Sequence, residues 1–387
     1  MQHRIGIVGA GIGGLVAALA LQRRGRRVVV FESSPELGEV GAGLTVTPNA
    51  TRVFRDLGVE PVLQELGTTP PKQAIKHWRD GRALVEQIRG DATEKKYGAG
   101  YYLIHRADLH SALADAVRAN DAEALRLGHK LVGLQQDGDV TLEFENGVRE
   151  TVAVAVGADG VRSAMRAALH RPEPPRFTGY IAWRGLVPME RIDPAILEPK
   201  CGVYIGPGHT FNRYVIRRGT IVNCVGFAER SSWTEEGWSI RADLDEIRAE
   251  FAGWDPALQT LLAAMPPETC FKWGLFDRDP LPRWTVGRAT LLGDAAHAML
   301  PFLGQGAAMA VEDGMVLARA LADSDDVERA LARYEAARYE RATFVQLRSR
   351  EVPKVFHAQN TDDYGPERHQ TEEALGLFNY DPVNVGF

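Results

Sequence analysis

The sequence predicts an α/β protein of two interleaved parts, a βαβ nucleotide-binding unit and an antiparallel sheet with helices on one side. Three observations lead there. Between Arg4 and Glu32 an apolar run, a glycine-rich turn, a helical stretch and a second apolar run follow one another. Two later apolar runs, Val152 to Val156 and Ala289 to Leu292, each end in a glycine–aspartate turn that opens a helical stretch. Between these segments lie short stretches with strand composition, bounded by turn signals.

Length and composition set the frame. The chain has 387 residues, enough for two or three domains at roughly 150 residues each. Hydrophobic residues make up 45% and charged residues 25%, an ordinary globular balance. Forty-five Lys+Arg against 51 Asp+Glu leave a net charge of −6, which argues against nucleic acid as a partner. Cys201, Cys224 and Cys270 form no CxxC pair and no even framework. A disulfide scaffold and a zinc ribbon are excluded, no metal site is expected, and a reducing, cytoplasmic setting is the default. Ile5 to Leu21 carries no charge. It is too short and too glycine-rich to cross a bilayer, which takes about 20 apolar residues, so no membrane association is expected.

The first element is the most informative. Arg4 to Val8 reads as a strand, Leu15 to Arg23 as a helix and Arg27 to Phe31 as a second strand. Gly9, Gly11 and Gly14 match G-x-G-x-x-G in the turn, and Glu32 ends the second strand. Each residue type has a reason. The first glycine makes the tight turn, the second lets a diphosphate approach the backbone, and the third lets helix and strand pack closely. Phosphates then meet the unpartnered N–H groups at the helix start. Glu32 can accept hydrogen bonds from ribose hydroxyls, and its charge disfavours a 2′-phosphate. This is a Rossmann-like dinucleotide site; by itself it does not separate FAD from NAD.

The later turns have plain readings too. Asp-Gly at 159–160 is a common turn, and Gly-Asp before alanine at 293–295 can cap a helix. Taken together, however, the segments GAGIGG at 9–14, Glu32, GAGLTVTPNA at 41–50, HRADLHSAL at 105–113, GADGVRSAMR at 157–166 and LLGDAAHAMLPFLGQGAAMAVEDG at 291–314 stand in a familiar order. The chain resembles the single-component FAD-dependent aromatic hydroxylases of the p-hydroxybenzoate hydroxylase fold. Within them it is most similar to the branch of salicylate hydroxylase, 3-hydroxybenzoate 6-hydroxylase and 6-hydroxynicotinate 3-monooxygenase.

That resemblance implies a Rossmann-like FAD-binding domain interleaved with a substrate domain of antiparallel sheet plus helices. It also implies roles by position. Gly9, Gly11, Gly14 and Glu32 would hold the ADP half of FAD. Arg106 would reach the diphosphate or the flavin, unless it is a surface arginine at a helix start. Asp159 and Arg166 belong to a motif that touches FAD and a transient nicotinamide cofactor, NADH or NADPH. Asp294 would bind the ribityl chain. Gly304, Gln305 and Gly306 would set helix N–H groups near the flavin pyrimidine ring, where negative charge gathers on reduction. Pro301 would lie beside the reactive part of the ring, and His297 reads as a structural hydrogen-bonding residue.

The intervening strands are expected to choose the substrate. Ala74 to Trp78 and Ala83 to Ile88 flank an Asp-Gly turn; Phe177 to Met189, Cys201 to Ile205, Asn212 to Arg217 and Thr220 to Ala228 follow, with helices at Ile240 to Phe251 and Pro256 to Ala264. A hairpin loop at Arg218-Gly219 pairs 214 with 223 and 210 with 227. Side chains alternate faces, so Thr210, Asn212 and Tyr214 share a face with Asn223, Val225 and Phe227. His209 falls on the opposite face and reaches the pocket only if a bulge turns it. Relatives carry a histidine where this chain has Thr210, and one branch carries a histidine at the position of Thr45. Tyr214 is the candidate to orient or help deprotonate a ring hydroxyl or amine, with Thr210, Asn223 and Thr45 as further candidate substrate contacts. Trp183 and Arg184 resemble a segment near the pocket; Arg184 either meets a substrate carboxylate bidentately or makes a structural ion pair.

The expected boundaries are 1–72, 98–176 and 281–350 for the FAD-binding domain, 73–97 and 177–280 for the substrate domain, and 351–387 for a C-terminal helix and tail of open role. The leading functional expectation is a monooxygenase that hydroxylates a small electron-rich aromatic acid or amine with NAD(P)H and O2, through a flavin C4a-hydroperoxide, acting as a monomer or homodimer. Two alternatives stand beside it: a flavin epoxidase or hydroxylase of a bulkier isoprenoid or polyketide ring, and a non-catalytic dinucleotide-binding protein of the same fold.

Overall fold

The computed structural model describes residues 4–38, 42–234, 240–358, 360–365 and 371–386. Gly41, the first residue of the GAGLTVTPNA segment, lies outside them. Ile5–Val8 is the centre of a parallel sheet in the order Ala289–Leu291, Val154–Gly157, Ile5–Val8, Val28–Phe31, Leu125–Arg126. These strands are short and apolar because both of their faces are covered, as parallel sheets require. The helix Ile12–Gln22 is buried on nearly every side. Against it runs the helix Gly306–Ala322, brought close by glycine: a Cβ on Gly13 would stand 2.9 Å from the Ala310 Cβ, and one on Gly314 would stand 2.8 Å from the Ala17 nitrogen.

The second layer is an eight-stranded sheet in the order Ile240–Arg241, Phe271–Asp277, Arg176–Pro188, Ile221–Glu229, His209–Ile216, Cys201–Gly206, Lys72–His77, Ala83–Ile88. The hairpin pairs Tyr214 with Asn223 and Thr210 with Phe227. One pair, Cys201–Gly206 with Lys72–His77, is parallel; its strands come from distant parts of the chain and share no hairpin. Ile240 and Arg241 form an edge strand on Lys272 and Phe271 rather than the start of a helix. The helix there is Leu244–Glu250, begun by the Asp243 carboxylate, which accepts from the Asp245 N–H. With Pro256–Ala264 it covers one sheet face, burying Trp183, Tyr204, Phe211, Phe251, Leu258 and Leu261. A three-stranded antiparallel sheet, Leu131–Asp137, Asp139–Phe144 and Arg149–Val152, flanks the parallel one.

The long helix Val327–Ser349 is capped by Asp326. Pro353 sits in the first turn of a short helix, Val352–Phe356, where a missing N–H costs nothing. Beyond it the described residues pack on both parts of the molecule: Val383 and Val385 join the core around the parallel sheet, and Arg52 donates to the Phe378 and Tyr380 carbonyls. Tyr364 packs with Ile75 and Ile205, and Phe378 packs with Tyr101, Leu103 and Cys201.

Candidate functional site

Four loops meet at the carboxyl ends of adjacent parallel strands, the place where open α/β sheets bind ligands. Gly9 follows Ile5–Val8, Glu32 follows Val28–Phe31, Ala158 and Asp159 follow Val154–Gly157, and Asp294 lies just past Ala289–Leu291. Backbone hydrogen bonds lace them together, from Gly9 to Phe31, from Ala158 to Val8 and from Leu292 to Gly157, at 2.7–2.9 Å.

The three glycines of the first loop answer different demands. Gly9 has φ +105°, and a Cβ there would sit 2.4 Å from the Ala158 carbonyl oxygen. A Cβ on Gly14 would sit 2.1 Å from the Gly9 carbonyl oxygen. Gly11 is different. Its φ of −66° suits any residue, and a Cβ there would meet no protein atom within 4 Å. The chain has no need of glycine at 11; a diphosphate seated on the backbone N–H groups of the following helix does. No side chain caps that helix, so its first N–H groups stay available to an anion. Glu32 shapes the loop, accepting from the Ala10 N–H at 2.8 Å, the Ser34 N–H at 2.9 Å and the Ser33 hydroxyl at 3.0 Å. A carboxylate offers about four acceptor positions, so one remains for a sugar hydroxyl.

Asp294 shows the depth of the cleft. Solvent reaches its side chain, yet protein surrounds it; burial raises its pKa while the charges of His297 and Arg106 pull it down. Arg106, the exposed first residue of the helix Arg106–Asn120, therefore faces the same space. Near it the backbone at 304–306 is open: Gly304 takes a left-handed φ of +61° with nothing near its Cβ position, and the Gly306 position meets only Met299, at 3.9 Å. The Gln305 side chain turns inward, donating to the Thr47 hydroxyl at 3.3 Å and accepting from Asn49 Nδ2 at 3.2 Å. Pro301 is exposed, while its neighbours Leu300 and Phe302 pack on Ala182, Phe227 and Leu275 of the large sheet.

Asp159 and Arg166 act on the chain itself. The Asp159 carboxylate accepts from the Ser163 hydroxyl at 2.5 Å and the Met165 N–H at 3.0 Å, fixing the start of the helix Ala164–Leu169. Burial raises its pKa and these donors oppose the rise. Arg166, lowered to about 10 by burial and by Arg278, donates to the carbonyls of Ala295 and Ala296 at 3.4 and 3.2 Å. It thereby holds the turn that carries Asp294.

A buried ionic cluster behind these loops was not anticipated. His297 Nε2 lies 2.6 Å from Asp313, which also accepts from the Gly293 N–H at 2.9 Å and from Arg338 Nε at 2.8 Å. Arg338 pairs with Glu312 at 2.5 Å, Arg341 grips Glu312 with two bonds of 2.8 Å, and Asn49 donates to it at 2.6 Å. Burial works to raise the Asp313 pKa; His297 and Arg338 instead hold it down to about 2. The loops at 43–49, 293–297 and 304–306 therefore share one anchor. Its signal was in the sequence as two adjacent acids, Glu312-Asp313, inside an otherwise apolar helix. His110 was missed as well; its ring sits 2.7 Å from the Ala10 carbonyl oxygen and buttresses the glycine loop.

The uncovered face of the large sheet completes the site. Tyr214 stands directly across from Asn223, and the strand Gly43–Val46 lies against both. The Gly43 N–H donates to Asn223 Oδ1 at 2.8 Å, and a Cβ on Gly43 would collide with the Tyr214 ring. Burial, with Cys201 and Cys224, drives the Tyr214 pKa far up, so its hydroxyl stays protonated. Thr45, on the same short strand, pairs with Leu103 and interacts with the buried Tyr101 hydroxyl. Arg184 stacks its guanidinium on Phe271 and Trp273, 5.5 and 5.4 Å from the ring centres. Thr210 is four residues along the strand from Tyr214, its hydroxyl buried. His209 is on the far face, bonded to the Pro207 carbonyl at 2.7 Å and to Glu250 at 2.5 Å, with its ring against Phe251 and Trp254. No bulge rotates it, since the pairing runs unbroken from His209 to Ile216; as a pocket residue it is corrected. Trp183 likewise packs on the helix side, in the core with Phe251. At the other end His357, kept neutral by a pKa lowered by burial to about 3, packs edge-on against Tyr180 and Phe302.

A glycine loop that leaves room for a diphosphate thus shares one cleft with Asp294, the open 304–306 turn and a polar sheet face. Comparison with known proteins decides what the cleft is for. The FAD binding domain family matches residues 2–349. The chain belongs to this family. It is 36% identical over 393 residues to the 3-amino-4-hydroxybenzoate 2-monooxygenase PtnB3 of Streptomyces platensis, covering 100% of this chain and 98% of that one. It is also 36% identical over 387 residues to the 6-hydroxynicotinate 3-monooxygenase of Pseudomonas fluorescens, covering 99% and 96%. Among solved structures, Klebsiella pneumoniae HpxO complexed with FAD and uric acid superposes with a TM-score of 0.86 at 28% identity, covering 98% of this chain and 97% of that one. A salicylate hydroxylase substrate complex superposes at 0.82 and 27% identity, covering 98% and 96%. This FAD-dependent aromatic-ring monooxygenase therefore has the p-hydroxybenzoate hydroxylase fold. Among the described residues, no helix is long and apolar enough to cross a membrane.

Proposed function

We propose that the monooxygenase hydroxylates a small carboxylated aromatic ring bearing a hydroxyl or amino group, with NADH or NADPH as reductant and O2 as oxidant. The observation that carries this reading is the contact of Gly43 with Tyr214 and Asn223. It sets two hydrogen-bonding side chains of the sheet beside the strand whose continuation, Thr47 and Asn49, holds the 304–306 turn. In this reading Gly9, Gly11, Gly14 and Glu32 receive the ADP half of FAD, Arg106 the diphosphate and Asp294 the ribityl chain. The 304–306 N–H groups would hold the pyrimidine end of the flavin, where they could stabilise negative charge. When bound, FAD supplies the redox chemistry that draws on the nicotinamide and activates O2.

The chain positions the ring and excludes water. Phe227, Phe302, Ala182 and Leu275 form an apolar wall beside Pro301. The Tyr214 hydroxyl, held protonated, orients a ring oxygen or nitrogen by donating to it. Arg184 keeps its charge between two aromatic faces, where a carboxylate can reach it. The two monooxygenase relatives named above act on a hydroxybenzoate and a hydroxynicotinate ring, which favours the same class here. All three cysteines are buried and unpaired, with thiols pushed up to about 11 or 12 by burial, which supports a reducing, cytoplasmic setting. The test is direct. Purified protein should be yellow, and hydroxy- and aminobenzoates or pyridine acids should speed NAD(P)H oxidation with one atom of labelled O2 entering the ring. Oxidation that ignores every ring in such a panel would remove the substrate class.

A further inference from the structure

We propose that Asn223 is a substrate-binding residue, its side-chain amide donating a hydrogen bond to a ring oxygen that carries or gains negative charge beside the Tyr214 hydroxyl. The proposal rests on the ring-hydroxylation reading and names the acceptor it requires. Asn223 is fully buried. Its two ends are not equivalent, because the Gly43 N–H donates to Oδ1 at 2.8 Å and so fixes which end is oxygen. Nδ2 is left with two N–H donors and no hydrogen-bond partner among the described residues. A buried donor left unmade costs about 1–3 kcal/mol, a cost that an acceptor from outside the chain would remove.

The surroundings say what kind. Asn223 is the cross-strand partner of Tyr214, on the sheet face that also carries Asn212, Val225 and Phe227. The titratable groups near that spot include Tyr214, Tyr101, Cys201 and Cys224, all pushed up by burial and therefore neutral, and His105, which pairs with Gly43, has its pKa lowered by burial and accepts from Arg217 at 3.4 Å. His209 is on the far face, paired with Glu250. His105 spends its Nδ1 on Arg217, so in this proposal a phenol here is activated by donors that stabilise its oxygen. An amide N–H pair can meet an oxygen or a carbonyl; it repels an ammonium. The Gly43 bond also ties Asn223 to the strand leading to Thr47, which accepts from Gln305. A ring oxygen on Nδ2 would thus be registered against the flavin-facing turn.

The test is calorimetric binding to the FAD-loaded protein as isolated. The probes are 3-amino-4-hydroxybenzoate, 6-hydroxynicotinate and 3-hydroxybenzoate, set against benzoate and nicotinate, which lack the ring oxygen. Wild type is expected to prefer at least one hydroxylated ring over its counterpart. Asn223→Asp keeps the acceptor for the Gly43 N–H and replaces the donor by a carboxylate oxygen. It should weaken the hydroxylated ring about 30-fold or more, from one lost hydrogen bond to a charged group plus repulsion, and the counterpart less than about threefold. Asn223→Ser, with a smaller donor, should lie between and serves if the aspartate variant loses FAD. Equal weakening of both rings, or none, overturns the assignment, as does a wild type with no preference for any hydroxylated ring. A protein without FAD would instead sink the flavin reading, which colour alone reports.

Discussion

Gly11→Ala is expected to leave the apoprotein at least as stable as wild type while costing it most of its affinity for FAD. The residue has φ −66° and ψ 174°, a conformation open to alanine, and its new methyl meets no protein atom within 4 Å. Removing a glycine at such a position narrows the unfolded ensemble and stabilises by about 0.4–1 kcal/mol. The same methyl stands where a diphosphate would approach the helix start. Losing one charge-assisted hydrogen bond there costs about 1.5–3 kcal/mol, or about 10- to 150-fold in Kd. Gly9→Ala is the control. With φ +105° and a Cβ 2.4 Å from the Ala158 carbonyl oxygen, it strains the backbone with or without cofactor and should lower the stability of the apoprotein. Denaturant melts of apoprotein and FAD titration by fluorescence quenching separate the two effects. The reasoning is refuted if Gly11→Ala destabilises the apoprotein as Gly9→Ala does, or binds FAD within about twofold of wild type.

Arg338→Ala should destabilise by about 3–5 kcal/mol in urea melts, because it removes the one guanidinium that the buried Glu312 and Asp313 carboxylates share; a loss below about 1 kcal/mol would show the cluster to be inessential. Tyr214→Phe should slow ring hydroxylation about 10- to 100-fold through loss of one hydrogen bond to a charged oxygen, and an unchanged kcat would strike the hydroxyl from the mechanism. Burial works to raise the Glu250 pKa, yet His209 and Arg230 hold it down to about 2. The stability this gives is complete above the unfolded carboxylate pKa, about 4.3, and is lost as pH falls toward 2, so Glu250→Gln should give a flatter stability curve than wild type across that window. For His209 burial works to lower the pKa, but Glu250 raises it overall; its contribution is full below about 6.5 and fades as pH rises through the folded value. His209→Gln should therefore cost stability at pH 6 while ring binding holds, and a selective loss of ring affinity would return His209 to the pocket.

Local patterns made much of this protein readable in one dimension. The order strand, glycine turn, helix, strand and acid at residues 4–32 is a contiguous unit whose geometry follows from residue type. The register of the 209–229 hairpin follows from its turn, and with it the shared face of Tyr214 and Asn223 and the exile of His209. Sequence alone therefore determined the nucleotide fold, a dinucleotide as the kind of cofactor and which hairpin side chains share a face of the large sheet. What it left open depends on residues far apart in the chain. Asp159 and Arg166 read as ligand residues, and only the structure shows that their polar atoms also brace neighbouring turns. Gln305 points to Thr47 and Asn49, more than 250 residues away. Glu312, Asp313, Arg338 and Asn49 become one anchor only when three loops converge on one helix. The tail from Val352 onward has no readable period because it packs as a strap along an existing surface, and its shape is set by Ile75, Ile205, Tyr101 and Phe302. Spacing reports how a segment pairs with its neighbours; burial and long-range pairing decide which polar group is spent inside the protein and which, like the Asn223 amide, is left to meet a ligand.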